Sequence, residues 1–80
     1  MDKWDAMAYF EDMELTIEVE READGRWLCE VMELPGVMAY GGSEAEAIKG
    51  AEVLALRVLA DQIEHGEASA DRFSVKFKAA

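Results

Sequence analysis

The sequence predicts a small α+β domain with the element order β-β-β-α-β. Apolar and polar residues alternate over 14–20, as in a strand that buries one face. A turn sequence at 24–25 separates this strand from a second one, and a turn sequence at 34–36 separates the second strand from a third. Apolar residues then recur at helical spacing over 44–64, and a final alternating segment follows. These patterns predict three strands, one long helix and a last strand.

Length and charge limit the possible functions. Eighty residues allow one domain, which buries roughly 60% of its unfolded surface, and such small domains often gain stability by oligomerising. The formal net charge of −10 argues against nucleic acid or an anionic membrane as a direct partner, because both would be repelled. It favours either a basic protein partner or simply an acidic, well-solvated surface.

The sequence offers little for redox, metal or cofactor chemistry. Cys29 is the single cysteine, so no intramolecular disulfide forms, and its place in a strand predicts a small buried apolar residue. His65 is the single histidine, and with no paired cysteine we expect no metal site and no cofactor. We find no signal peptide, membrane-spanning run or lipidation motif, which predicts a cytoplasmic protein.

The register of the first hairpin follows from charge burial. A two-residue turn at Asp24-Gly25 would place Glu30 opposite Val19 in the core, whereas a three-residue loop over 23–25 pairs Cys29 with Val19. We prefer the second register because it buries no charge. The side chains that then face away from the core are Leu28, Glu30 and Met32.

The ends of the chain differ in character. Residues 1–13 mix aromatic and acidic side chains and are predicted to be an extension of uncertain order, with Trp4, Met7 and Ala8 on one face if helical. Residues 14–80 form the predicted domain. Its short third strand spans about 37–40, and its last strand spans about 71–78 with Phe73, Val75 and Phe77 inward.

The predicted helix has clear boundaries. Ser43 with Glu46 forms a capping-box sequence at its start, and Gly66 is suited to end it. The helix is more apolar than one sheet contact requires. Its expected core stripe consists of Ala47, Ile48, Ala51, Leu54, Ala55, Val58 and Leu59.

A second group of apolar helix residues falls wholly or partly outside that stripe: Val53, Leu56 and Ala60. Two interpretations stay open. They are ordinary scattered surface residues, or they mark a contact with a second copy of the chain. We expect self-association, most simply a dimer, with either these residues or the edge of the third strand at the contact.

Together these motifs resemble the HicB-type antitoxin family. The resemblance covers about residues 14–78 and depends on Leu34-Pro35-Gly36 after the second strand, on Gly41 before the helix, and on the helix end at 64–67. It implies a truncated RNase H-like sheet with the last strand beside and parallel to the first, and one long helix packed on one face. It also implies a protein that binds and occludes a small basic RNA-cleaving toxin of the HicA type.

The resemblance sets the remaining expectations. Many family members add a DNA-binding segment that these residues lack, so we expect toxin neutralisation and no operator binding. The alternative is a stand-alone homo-oligomeric structural or regulatory module. The residues expected to bind the partner are Leu28, Glu30, Met32 and Glu33.

Catalysis is the least favoured interpretation. RNase H-like enzymes bring several carboxylates to divalent metal, and Glu14, Glu18 and Glu20 do share one strand face. Thr16 interrupts them, and basic residues of the adjacent last strand account for them more simply. We therefore expect no enzymatic activity. The basic residues expected beside them are Arg72, Lys76 and Lys78.

Overall fold

The computed structural model of the chain describes residues 12–66 and 74–80. The described elements are β1 (Asp12–Arg21), β2 (Trp27–Val31), β3 (Met38–Gly41), α1 (Glu44–Glu64) and β4 (Ser74–Ala79). The strands form one sheet in the order β3-β2-β1-β4, in which β4 is parallel to β1 and the other pairs are antiparallel. The predicted α+β architecture is confirmed, including the position of the last strand.

The element boundaries agree closely with the sequence patterns. The helix spans the predicted residues, and β3 is shifted by one residue. β1 begins at Asp12, and Met13 is buried in the core, so ordered structure reaches into the predicted extension. The rest of that extension, with Trp4, Met7 and Ala8, lies outside the described residues, as does Phe73.

The β1–β2 hairpin closes with a three-residue loop, as predicted. The backbone N–H of Glu22 donates to the carbonyl of Arg26 at 2.7 Å, and Gly25, at a φ of 92°, supplies the left-handed residue. The Asp24 carboxylate accepts the Arg26 backbone N–H at 3.0 Å and its side-chain Nε at 2.7 Å. These hydrogen bonds hold the pKa of Asp24 below its usual value.

The hairpin register is the one that buries no charge. Val19 pairs with Cys29, and Ile17 pairs with Val31. Cys29 has no solvent exposure, and burial raises the pKa of its thiol, since the thiolate would lose its hydration. Cys29 is therefore a core residue, as the sequence predicts.

The Leu34-Pro35-Gly36 motif turns the chain from β2 into β3. The Val37 backbone N–H donates to the Leu34 carbonyl at 3.0 Å, and Gly36 has a φ of 83°. Proline second and a left-handed glycine third are the requirements of a type II turn. The Leu34 side chain is completely buried, so the motif both turns the chain and anchors the turn in the core.

Both ends of α1 are capped. The Ser43 hydroxyl accepts the Glu46 backbone N–H at 3.2 Å, and the Glu46 carboxylate accepts the Gly42 N–H at 3.0 Å. The predicted capping box is thus present, with its return bond one residue earlier than in the usual motif. Gly66, at a φ of 74°, donates its N–H to the Ile63 carbonyl at 3.1 Å and ends the helix.

Helix α1 lies mainly over β2 and β3 and approaches the sheet closely. A Cβ atom at Gly50 would be 2.9 Å from the Cβ of Ala39 on β3. Leu54 lies one turn after Gly50, on the flank toward the β3 edge, and is 37% exposed. Its predicted place in the core stripe is therefore wrong. The helix residues that are buried are Ala47, Ala51, Ala55, Leu59 and Gln62.

Candidate binding face

The side of the sheet opposite α1, here called the open face, carries three stripes of side chains. Alternation along the strands assigns residues to this face. The acidic stripe on β1 and β2 consists of Glu18, Glu20 and Glu30, and the basic stripe on β4 consists of Lys76 and Lys78. The apolar stripe consists of Leu28 on β2, Met38 and Tyr40 on β3, and Met32, which directly follows β2 and donates its backbone N–H to Thr16 of β1.

The acidic stripe places like charges side by side. Glu18 on β1 pairs in register with Glu30 on β2, and Glu20 is the next outward residue along β1. Among residues 12–66 and 74–80, no cation forms an ion pair with any of these three glutamates. Carboxylates directly opposite one another on adjacent strands repel and lower stability. The open face therefore carries a negative charge that the described part of the fold does not neutralise.

The basic stripe matches only one predicted acidic neighbour. Lys76 pairs in register with Glu14, and the Lys78 ammonium lies 3.6 Å from the Glu14 carboxylate. The pairing of β1 with β4 ends at Ile17, so neither Glu18 nor Glu20 has a residue of β4 opposite it. The expectation that the basic strand matches all three glutamates is wrong for these two. Arg72 lies outside the described residues.

The apolar stripe differs from expectation at Leu28. We expected Leu28 to be exposed, but it is only 8% exposed. It lies in a central strand, where Glu20 and Tyr40 flank it in register on both sides. The exposed apolar surface is provided by Met38 (41%) and Tyr40 (50%), together with the predicted Met32 (49%). Sequence reasoning missed Met38 and Tyr40, although pairing the third strand with the second would have placed them beside Leu28 and Glu30.

Tyr40 is held in place by a cation. The Arg26 guanidinium lies 4.3 Å from the centre of the Tyr40 ring, while its Nε donates to Asp24. Such stacking restricts the ring and leaves the guanidinium bound to the hairpin loop. The sequence offered no signal for this contact, since the two residues become neighbours only through β2–β3 pairing.

Glu33, a predicted partner-binding residue, has a structural role. One oxygen of its carboxylate accepts the Thr16 backbone N–H at 2.7 Å, and the other accepts the Thr16 hydroxyl at 2.7 Å. The Met32 backbone N–H also donates to the Thr16 carbonyl at 2.9 Å. The Glu33 side chain thus continues the β1–β2 ladder beyond its last backbone pair. Its participation in partner binding stays a prediction.

The helix residues that we predicted to mediate self-association lie outside the core. Val53, Leu56 and Ala60 are all exposed, while the neighbouring alanine row is buried.

Within the described residues, no helix is long and apolar enough to cross a bilayer. No cluster of histidine, cysteine or acidic side chains able to hold a metal ion occurs in that part of the chain.

No known protein family, curated protein or solved structure matches the chain. The open face combines exposed methionine and tyrosine side chains with carboxylates that no cation of residues 12–66 and 74–80 pairs with. That combination suits attraction of, and packing against, a cationic protein surface.

The repulsion in the acidic stripe is testable on the isolated chain. Glu30→Gln removes one of two opposed charges and keeps the side-chain shape, so we expect the free energy of unfolding to rise by about 0.2–1 kcal/mol at low salt. The gain should shrink as ionic strength rises, because salt screens exposed charges. Urea denaturation at low and high salt measures both effects.

Glu14→Gln is the matched control for that measurement. It makes the same chemical change on the same face but removes a carboxylate that lies beside Lys78. We expect it to be neutral or slightly destabilising, since exposed ion pairs contribute about 0–1 kcal/mol. A loss of stability in Glu30→Gln at low salt would contradict the proposed repulsion.

Proposed function

We propose that this chain is a non-catalytic binding protein that uses its open face to cover a small basic protein. The observation that carries the proposal is the opposition of Glu18 and Glu30, beside Glu20, with no cation paired to them among the described residues. A fold gains nothing from such an arrangement in isolation. A cationic partner removes the repulsion and gains favourable charge contacts, so the cost in the free chain becomes binding energy in the complex.

The resemblance to HicB-type antitoxins suggests which basic protein this is. It implies a small RNA-cleaving toxin of the HicA type, whose active surface must be basic to hold RNA phosphates. An acidic sheet face that competes with RNA for that surface would inhibit by occlusion, with no chemistry of its own. An RNA-cleaving target acts on cytoplasmic RNA, so we propose that the complex forms in the cytoplasm.

The apolar stripe supports the same proposal. Methionine and tyrosine are enriched where proteins meet, and Met38 and Tyr40 border the acidic stripe. Charge would steer the encounter, and these side chains would bury apolar area once the surfaces meet. Because these apolar side chains lie on only one side of the acidic stripe, a partner with adjacent basic and apolar surfaces would bind in one orientation.

A charge-reversal experiment tests the proposal. The probe is a small basic RNA-cleaving protein of the HicA type, made as a catalytically inactive variant and titrated by surface plasmon resonance. We expect Glu18→Lys to weaken binding about 10–100-fold, the size expected when a close interfacial charge pair is replaced by repulsion. We also expect the association rate of the unaltered chain to fall steeply as salt rises.

Glu64→Lys is the matched control for this experiment. It changes the net charge by the same amount but lies in the last turn of α1, on the other side of the sheet. We expect it to lower the association rate only slightly. Equal losses for the two variants, or an association rate independent of salt, would contradict binding through the acidic stripe.

A further inference from the structure

The two edges of the sheet are protected differently. β4 carries Lys76 and Lys78, and lysines on an edge discourage pairing with another chain. β3, at the other edge, has the sequence Met-Ala-Tyr-Gly and lies within residues 34–43, which carry no charged side chain. An uncharged edge strand without proline is open to pairing.

The backbone of β3 is oriented for such pairing. The Val31 N–H donates to the Val37 carbonyl at 3.0 Å, and Cys29 pairs in register with Ala39. In an antiparallel ladder the hydrogen-bonding direction alternates from residue to residue. The polar backbone groups of Ala39 therefore point toward β2, and those of Met38 and Tyr40 point toward the free edge.

We propose that β3 pairs antiparallel with β3 of a second copy, joining two four-stranded sheets into one. In a register centred on Met38 or on Tyr40, fewer of the outward backbone N–H and C=O groups of Met38 and Tyr40 would lie opposite one another and form hydrogen bonds. A two-fold register centred on Ala39 places Met38 opposite Tyr40 of the second copy, twice, which allows four backbone hydrogen bonds. It also sets a methionine thioether against an aromatic ring in each pair.

Charge explains why the occupant is a second copy. Two chains of net charge −10 repel each other, so they can associate only through a surface that carries little charge. The β3 edge is such a surface, whereas a basic partner would favour the acidic stripe. On the other side of the sheet, the exposed Leu54 lies toward the same edge, next to Val53, and both would approach the helix of the second copy. The inference does not depend on the basic partner.

Sedimentation of edge variants tests the pairing. We expect the unaltered chain to approach twice its 8.9 kDa mass over a concentration series reaching ~1 mM. Met38→Pro removes an outward N–H while keeping the β2–β3 bonds, and we expect it to stay at the mass of one chain with unchanged circular dichroism. Tyr40→Glu provides a second block of the same edge should Met38→Pro unfold.

Leu56→Glu is the control, since Leu56 is an exposed helix residue outside the proposed contact. We expect it to dimerise as the unaltered chain does. The β3 pairing would be overturned if the unaltered chain stayed monomeric at every concentration. It would also be overturned if Leu56→Glu abolished the dimer while a folded Tyr40→Glu variant kept it. Glu18→Lys should dimerise normally, which separates this inference from the proposed function.

Cross-linking tests the register itself. In the proposed pairing, residues 38 and 40 of different copies are directly opposite, at about 5.5 Å between Cα atoms, which a disulfide can span. We expect a mixture of Met38→Cys and Tyr40→Cys chains to form a cross-linked dimer faster than either chain alone under mild oxidation. The native Cys29 is fully buried, so we expect it to form no cross-link in any of these chains. Equal rates for the mixture and the separate chains would contradict the register centred on Ala39.

Discussion

Gly41→Ala is expected to lower the free energy of unfolding by about 3 kcal/mol or more, a large part of the stability of a domain this size. A Cβ atom at Gly41 would lie 2.5 Å from the backbone nitrogen of Ala47 and 2.8 Å from the Cβ of Glu46. Both belong to the first turns of α1, which is fixed by its cap and its buried alanine row. The added methyl can be accommodated only by moving the helix start away from β3.

Gly42→Ala is the matched control for this substitution. The nearest atom to a Cβ at Gly42 is the Glu46 carboxylate oxygen at 3.3 Å, the far end of a flexible side chain. We expect its free energy of unfolding to change by well under 1 kcal/mol, and urea denaturation of both variants measures the difference. Equal stabilities for the two variants would show that the close approach at Gly41 is not a constraint.

Leu34→Ala is expected to cost about 2–5 kcal/mol of unfolding free energy, because it empties a completely buried site in the core. We expect this substitution to affect the proposed binding as well. Leu34 anchors the turn that leads into β3, and β3 carries Met38 and Tyr40 on the open face. In chains that remain folded, we therefore expect lower stability, measured by urea denaturation, and weaker binding of the proposed basic partner, measured by surface plasmon resonance.

Pro35→Ala is the control within the same motif. Pro35 is exposed, so its replacement leaves the core filled and acts mainly by loosening the unfolded chain and the turn, at about 0.4–1 kcal/mol. A cost for Pro35→Ala as large as that for Leu34→Ala would mean that turn geometry, and not the buried leucine, dominates the contribution of this motif.

Local signals predicted the fold well because each acts within a few residues. The three-residue hairpin loop follows from avoiding a buried Glu30, and the helix boundaries follow from Ser43 and Gly66, whose hydrogen bonds are local. Leu54 shows the limit of such reasoning. Helical spacing placed it in the core stripe, but the close approach of Gly50 to Ala39 sets the helix over β2 and β3 and leaves Leu54 exposed.

The open face, our candidate binding face, was only partly predictable. Period-two alternation predicted that Leu28 and Glu30 share one side of β2, and the observed register agrees, but alternation does not report how exposed each side chain is. Leu28 faces this side and is nevertheless only 8% exposed. Met38, Tyr40 and Arg26 were missed because they become neighbours only through strand pairing.

The order of the elements, their ends and the apolar side of each strand could be predicted from the residues alone, because these features depend on residue spacing and on turn and cap chemistry. Which charged side chains become neighbours depends instead on how the strands pair. Pairing of β1 with β4 stops at Ile17 and gives a lysine neighbour to Glu14 alone, while pairing of β1 with β2 sets Glu18 against Glu30. Strand register depends on contacts between distant segments, and in this chain it gathers scattered acidic residues into one stripe that no cation of the described residues pairs with.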